Sequence, residues 1–335
     1  MSQPRFLPDN FTLALLATVA LASAWPARGA LSNAFEALTN VAIGLLFFLH
    51  GAKLSRAAIV AGASHWRLHL LVLSSTFVMF PLLGLALRPL LAPLVTPQLY
   101  LGVLFLCMLP TTMQSAIAFT SIARGNVAAA VCSASGSTLI GIFISPVLLT
   151  LFVVPHHAGS PGAWSSIGHI ALLLMAPFVA GQLLRSRIGS WLEGHGSALK
   201  VVDQGSILLV VYTAFSAAVV QGLWARVPLS GLAGLLVVCA ALLGLMLIFT
   251  SRSARRLGFA TEDEITIVFC GSKKSLASGI PMANVLFATH AVGAILLPLM
   301  LFHQIQLMAC AVIARRYAQR PLAVPAPDAM PAPGR

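Results

Sequence analysis

A chain of 335 residues that is 59% hydrophobic and 8% charged, with a mean hydropathy of +0.94, is not an ordinary soluble domain, where about a quarter of residues are charged. This is the composition of a polytopic membrane protein. A net charge of +12 would suggest nucleic acid as the partner of a soluble chain, but here the basic residues lie between apolar runs and set orientation instead.

Ten apolar segments of spanning length follow in order, near 11–27, 35–52, 67–88, 98–122, 127–154, 164–184, 202–223, 228–250, 264–287 and 291–314. The fold class expected is an all-α membrane protein with ten transmembrane helices. Segment one has a rival reading: Arg5, the apolar stretch and Ala22-Ser23-Ala24 have the form of a secretory signal, whose removal would leave nine spans. With the N-terminus in the cytoplasm, fifteen of the twenty Lys and Arg residues fall inside and three, Arg28, Arg88 and Arg226, outside. The other two, Lys273 and Lys274, lie within a span. This bias supports ten spans with both termini cytoplasmic. Residues 318–335, ending in a run of Pro and Ala, read as a disordered cytoplasmic tail.

Two five-span halves are expected, 1–155 and 156–317. Span five contains Gly141-Ile142-Phe143-Ile144-Ser145-Pro146, and span ten contains Gly293-Ala294-Ile295-Leu296-Leu297-Pro298. Each follows the most polar span of its half. An odd number of spans per half inverts the second half. Inverted repeats with interrupted helices at corresponding positions, here four and nine, point to a secondary transporter with a site near the midplane.

The stretch Val268-Phe269-Cys270-Gly271-Ser272-Lys273-Lys274-Ser275-Leu276-Ala277-Ser278-Gly279-Ile280-Pro281 carries the chemistry. A charge at the centre of a bilayer costs roughly 2.5–3.5 kcal/mol on insertion scales. Two adjacent lysines there need a compensating role. Glycine and proline weaken the helix, and freed backbone groups are tolerated only against protein or a water-filled cavity. The stretch reads as a broken helix lining a binding cavity. One ammonium would bind an anionic substrate, take the place of a coupling cation as a tethered charge, or carry a proton. The structural alternative is that one lysine snorkels or bonds to backbone carbonyls of span four. Span nine opens with Thr261-Glu262-Asp263-Glu264, read as a capping box between Thr261 and Glu264.

Span four supplies Thr111, Thr112, Gln114 and Ser115 after Pro110, and span five adds Ser133, Ser135, Ser137 and Thr138. Hydroxyls and amides at this density replace a solute's hydration shell, or serve helix packing. Arg124, before Gly125-Asn126, reads as the anchor of a turn. The candidate substrate-binding residues are Gln114, Ser115, Lys273, Lys274 and Ser275. A coupling-ion or tethered-cation site is assigned to Thr112, Ser133, Ser272 and Lys273. The five cysteines all fall in apolar segments and read as small buried hydrophobes. The nine histidines show no metal-ligand spacing, so no metal and no cofactor is expected. No Gly-rich phosphate loop or nucleophile–base pair stands out, which argues against ATP-driven transport and against an enzyme.

The segments 109–146, LPTTMQSAIAFTSIARGNVAAAVCSASGSTLIGIFISP, and 268–287, VFCGSKKSLASGIPMANVLF, resemble the bile acid:sodium symporter superfamily, in particular a bacterial branch similar to the seventh member of human solute carrier family ten. The resemblance covers nearly the whole chain. It implies crossed, interrupted helices four and nine in a core of spans three to five and eight to ten, with a panel of spans one, two, six and seven. Substrate would bind between the two. It also implies an organic anion as substrate, sodium as coupling ion, with a proton left open by the lysines, and the bacterial inner membrane as location. The family's sodium-ligating Glu falls on Phe269, and its following Gln and Asn on Lys273 and Lys274. Its Ser-Asn pair in span four falls near Gln114-Ser115-Ala116, and two hydroxyls of span five fall on Ala130 and Ala134. Most of the sodium cage therefore does not carry over. The alternatives are a channel or ion-homeostasis regulator on the same fold and, from another class, an intramembrane enzyme.

Overall fold

The computed structural model describes residues 10–53, 65–91, 94–152, 163–226, 228–287 and 292–320. The described residues are helical and contain no strand. Besides single turns at Arg88–Leu91 and Leu223–Arg226, the helices in chain order are α1 (Asn10–Ala24), α2 (Ala30–Lys53), α3 (Trp66–Ala86), α4 (Pro97–Met108), α5 (Met113–Ile122), α6 (Val127–Phe152), α7 (Ala163–Gly194), α8 (Gly196–Val220), α9 (Leu229–Arg256), α10 (Thr261–Gly271), α11 (Leu276–Leu286) and α12 (Val292–Ala318). Helices α2, α3, α6, α8, α9 and α12 are each long and apolar enough to cross a bilayer. The pair α4 and α5, bent by 63° at its junction, makes a seventh if it is one span. Exposed Leu16, Leu45, Leu183, Leu229 and Val237 give the bundle an apolar outer face. Of the tail expected over 318–335, Ala318 is instead the last residue of α12, and 321–335 lie outside the described residues.

The stretch expected as span four is two helices because of Pro110. Proline lacks an N–H and pushes the residue before it out of the helical region. Leu109 is accordingly extended at ψ 155, and Thr112 starts α5 from an extended ψ of 136. The stretch expected as span nine is likewise two helices. Helix α10 stops at Gly271, and α11 restarts after Ser275, whose hydroxyl accepts from the Ser278 N–H at 3.1 Å as an N-cap.

Packing is densest within two sets of helices. Helix α2 lies along α7, and α8 packs on α1 and α2. Gly51 and Gly181 allow the first of these contacts: a Cβ on either would lie 2.0 Å from a backbone oxygen, of Phe178 and Phe48 respectively. The second set holds α3 to α6 and α9 to α12. The sets meet where α8 lies along α11 and α12, and where α7 lies along α6.

The start of α10 differs from the sequence expectation. Ala260 is its N-cap residue and no side chain caps it, so the capping box of Thr261 and Glu264 does not form. Buried Glu264 turns instead to stronger partners: Arg255 at 2.9 Å, Tyr317 Oη at 2.7 Å and Ser251 Oγ at 3.1 Å. The α5–α6 turn is pinned to the same end. Asn126 donates to Asp263 at 2.9 Å, and Arg320 bridges Glu262 and the carbonyl of Arg124. Arg124 itself turns the chain at φ 59.

Candidate functional site

Each helix break leaves backbone groups that the buried interior must satisfy. At the first, the Thr111 N–H would serve the Cys107 carbonyl in a continuous helix. It donates instead to Ser137 Oγ of α6 at 3.1 Å. Ser145 of α6 donates to the Met108 carbonyl at 2.6 Å. The carbonyls of Cys107 and Leu109 are left for another donor. A further carbonyl is freed in α3, which contains a π-helical turn at Ser75–Met79. There the Phe80 N–H donates to the Ser75 carbonyl. The residue that would serve Thr76 in the same pattern is Pro81, which has no N–H.

The second break supplies the donors. The Ser275 N–H donates to the Pro110 carbonyl at 2.9 Å, so the two breaks touch through their backbones. Gln306 of α12 takes the place of missing helix bonds: its Oε1 accepts from the Lys274 N–H at 2.9 Å, and its Nε2 donates to the Lys274 carbonyl at 3.0 Å. That fixes the amide, and its nitrogen also lies 3.0 Å from His303 Nδ1, which accepts. Ser272 donates to the Val268 carbonyl at 2.6 Å, closing the last turn of α10.

Both lysines are fully buried. Lys274 Nζ lies 2.8 Å from the Thr76 carbonyl, 2.8 Å from that of Cys107 and 2.7 Å from that of Leu109. It sits 4.1 Å from the centre of the Phe80 ring. Lys273 Nζ donates to the Ser115 carbonyl at 2.8 Å and faces the rings of Phe119 at 4.1 Å and Phe269 at 5.2 Å. Among the described residues the ion pairs are Lys53–Asp203, Arg255–Glu264 and Arg320–Glu262, so neither lysine meets a carboxylate. Among the described residues, the partners of both side-chain nitrogens are carbonyl oxygens and aromatic faces. Helices α5 and α11 begin at the breaks, with their positive ends there.

Of the residues singled out from sequence, Lys273, Lys274, Ser272 and Ser275 lie in the second break, and Lys273 reaches Ser115. Thr112 is at the start of α5, 3.5 Å from the Ser115 hydroxyl, while Gln114 is exposed. Ser133 pairs with a different partner, His69 Nδ1 of α3, at 2.7 Å. Sequence reasoning missed Gln306 and His303, the carbonyl of Thr76, and the rings of Phe80, Phe119 and Phe269. The spacing of His303 and Gln306, three residues apart on one helix face, was the available signal.

The model of the SBF-like CPA transporter family matches residues 9–319. An uncharacterized protein of Pseudomonas aeruginosa is 66% identical over 321 residues, 96% of each chain. An Escherichia coli K12 protein named "Putative symporter YfeH" is 57% identical over 93% of each chain. The "Sodium/bile acid cotransporter 7" of Rattus norvegicus is 29% identical over 279 residues, 82% of each.

Proposed function

The chain belongs to the SBF-like CPA transporter family, and from that premise we propose a secondary-active transporter that moves small or amphipathic organic anions by alternating access, coupled to a gradient of sodium or protons. The carrying observation is the pair of buried ammonium groups at two touching helix breaks, with no carboxylate among the described residues to neutralise them. Such a site attracts an anion, and its charge is worth more in a low-dielectric interior than in water. The positive ends of α5 and α11 act in the same sense. The names of the relatives, a symporter and a sodium/bile acid cotransporter, agree with the class.

In this reading α1, α7 and the α10/α11 pair complete ten spans, arranged as two inverted five-helix repeats. The set α1, α2, α7, α8 is the panel and the other helices are the core. Both termini lie in the cytoplasm of a bacterium whose inner membrane holds the protein. Gln114, Ser115, Lys273 and Ser275 meet the substrate. Access alternates as α11 and α12 shift against α8.

Counterflow in proteoliposomes tests this, with taurocholate and a panel of smaller carboxylates and sulfonates, each in sodium and in potassium. Saturable uptake that is accelerated by internal substrate, and lost in Lys273→Gln protein of unchanged elution volume, is expected. Uptake that grows linearly with concentration and ignores internal substrate would replace the transporter with a pore.

A further inference from the structure

We infer that the carbonyl oxygens of Thr76, Cys107 and Leu109 form a monovalent-cation cage, and that the chain keeps this cage filled with the Lys274 ammonium. The inference stands on hydrogen-bond geometry and does not rest on the substrate class proposed above.

Three carbonyls freed in two different elements converge on one point. That of Thr76 is released by the π turn and Pro81, and those of Cys107 and Leu109 by the break at Pro110. Two of them belong to the C-terminal end of α4, where the helix dipole is negative. The face of Phe80 adds a further negative surface at 4.1 Å. Neutral dipoles without a carboxylate suit a single positive charge, whereas sites for divalent ions recruit carboxylates. An ammonium has three N–H donors, and three oxygens at 2.7–2.8 Å consume them all. Gln306 grips the N–H and the carbonyl of Lys274, so the backbone that launches the side chain is fixed as well. Lys274 thus has no donor left for a solute. The charge at this position travels with the chain, and no free ion is needed there. Lys273 differs: it spends one donor on an oxygen and presents the rest of its ammonium to two rings.

Truncating Lys274 to alanine removes three carbons and the ammonium, the outline of propylammonium. Thermal unfolding of the full chain in lipid nanodiscs tests the cage, with choline chloride as background and propylammonium, sodium or potassium chloride as probes. Lys274→Ala is expected to melt at least about 5 °C below the parent. Propylammonium should then raise its Tm in proportion to the logarithm of concentration above Kd. The parent and Lys274→Met, whose cavity stays filled by an uncharged thioether chain, should not respond to propylammonium. Recovery of Lys274→Ala by sodium or potassium would support the cage equally. A folded Lys274→Ala protein that none of the three cations stabilises overturns the inference, as does an equal rise in the parent. If Lys274→Ala does not fold, methionine substitutions decide. Lys274→Met strips three carbonyls of their donor and Lys273→Met only one, so Lys274→Met must melt lower; equal or higher stability overturns the cage. Thermal unfolding reads the cage and not anion uptake, so loss of the cage leaves the transport proposal standing.

Discussion

The two helix breaks are alike in backbone and opposite in chemistry. The first, around Pro110, carries no charged side chain and is rich in surplus carbonyls; its partners come from Ser137 and Ser145 of α6 and from Lys274. The second, from Ser272 to Ser275, is polar and rich in donors, and it is steadied by Gln306 of α12. Each break is incomplete without the other. A charged residue that looks functional in such a site is also part of what holds the crossing together, so substitutions there mix folding with transport. The residues that support the breaks without offering a charge separate the two.

The largest effect should follow Gln306→Ala. It strips two buried backbone groups of Lys274 of their partners. At roughly 1–3 kcal/mol for each group left unsatisfied, the loss is about 2–6 kcal/mol. Asn284→Ala on α11 removes one bond to a helical carbonyl, that of Ile280, and is the control. Unfolding midpoints of the two variants in one membrane mimetic make the comparison. A Gln306→Ala protein as stable as Asn284→Ala would mean that the second break carries itself.

What the sequence made legible is uneven, and the reason is physical. Pro110 and the Gly271–Ser275 stretch announce interruptions because the effects of proline and glycine are local. Lys273 and Lys274 announce themselves because charge is costly in an apolar run. Which carbonyls they reach is not local. It depends on the π turn of α3 and on the path of the crossing, and neighbouring lysines on an unwound segment cannot be ranked without that path. The paired Gly-x4-Pro signals show the same limit. Gly141 makes room for Pro110, with a built Cβ 2.6 Å from its ring, whereas Gly293 makes room for Ala218 of α8. One pattern serves two different contacts. Glu264 was misread because a capping partner is guessed from spacing, while Arg255 and Tyr317 reach it from other helices.

At the first break, the two serines of α6 should not be equal. Ser137→Ala orphans the buried N–H of Thr111, and Ser145→Ala removes one donor from the carbonyl of Met108. A carbonyl with two lone pairs tolerates under-satisfaction better than an N–H does. The expected losses are about 1–3 kcal/mol for Ser137→Ala and about 0.5–1.5 kcal/mol for Ser145→Ala. The order is checked by equilibrium unfolding of the two variants side by side. A reversed order would shift the weight of the first break from its amide to its carbonyls.

The smallest effect concerns the surroundings of Lys273. Its ammonium lies 4.1 Å from the centre of Phe119 and 5.2 Å from that of Phe269. Single Phe→Leu changes confound the ring's electrostatics with lost packing, because Phe269 is fully buried. Double-mutant cycles with Lys273→Met remove the packing contribution. The Lys273–Phe119 coupling should be about 0.5–2 kcal/mol, and the Lys273–Phe269 coupling smaller. Equal couplings would contradict the order of the two distances, and no coupling to either ring would leave the Ser115 carbonyl as the whole support of this charge. Lys273 would then be held by one oxygen against three for its neighbour, and the asymmetry between the two lysines would be wider than the rings make it.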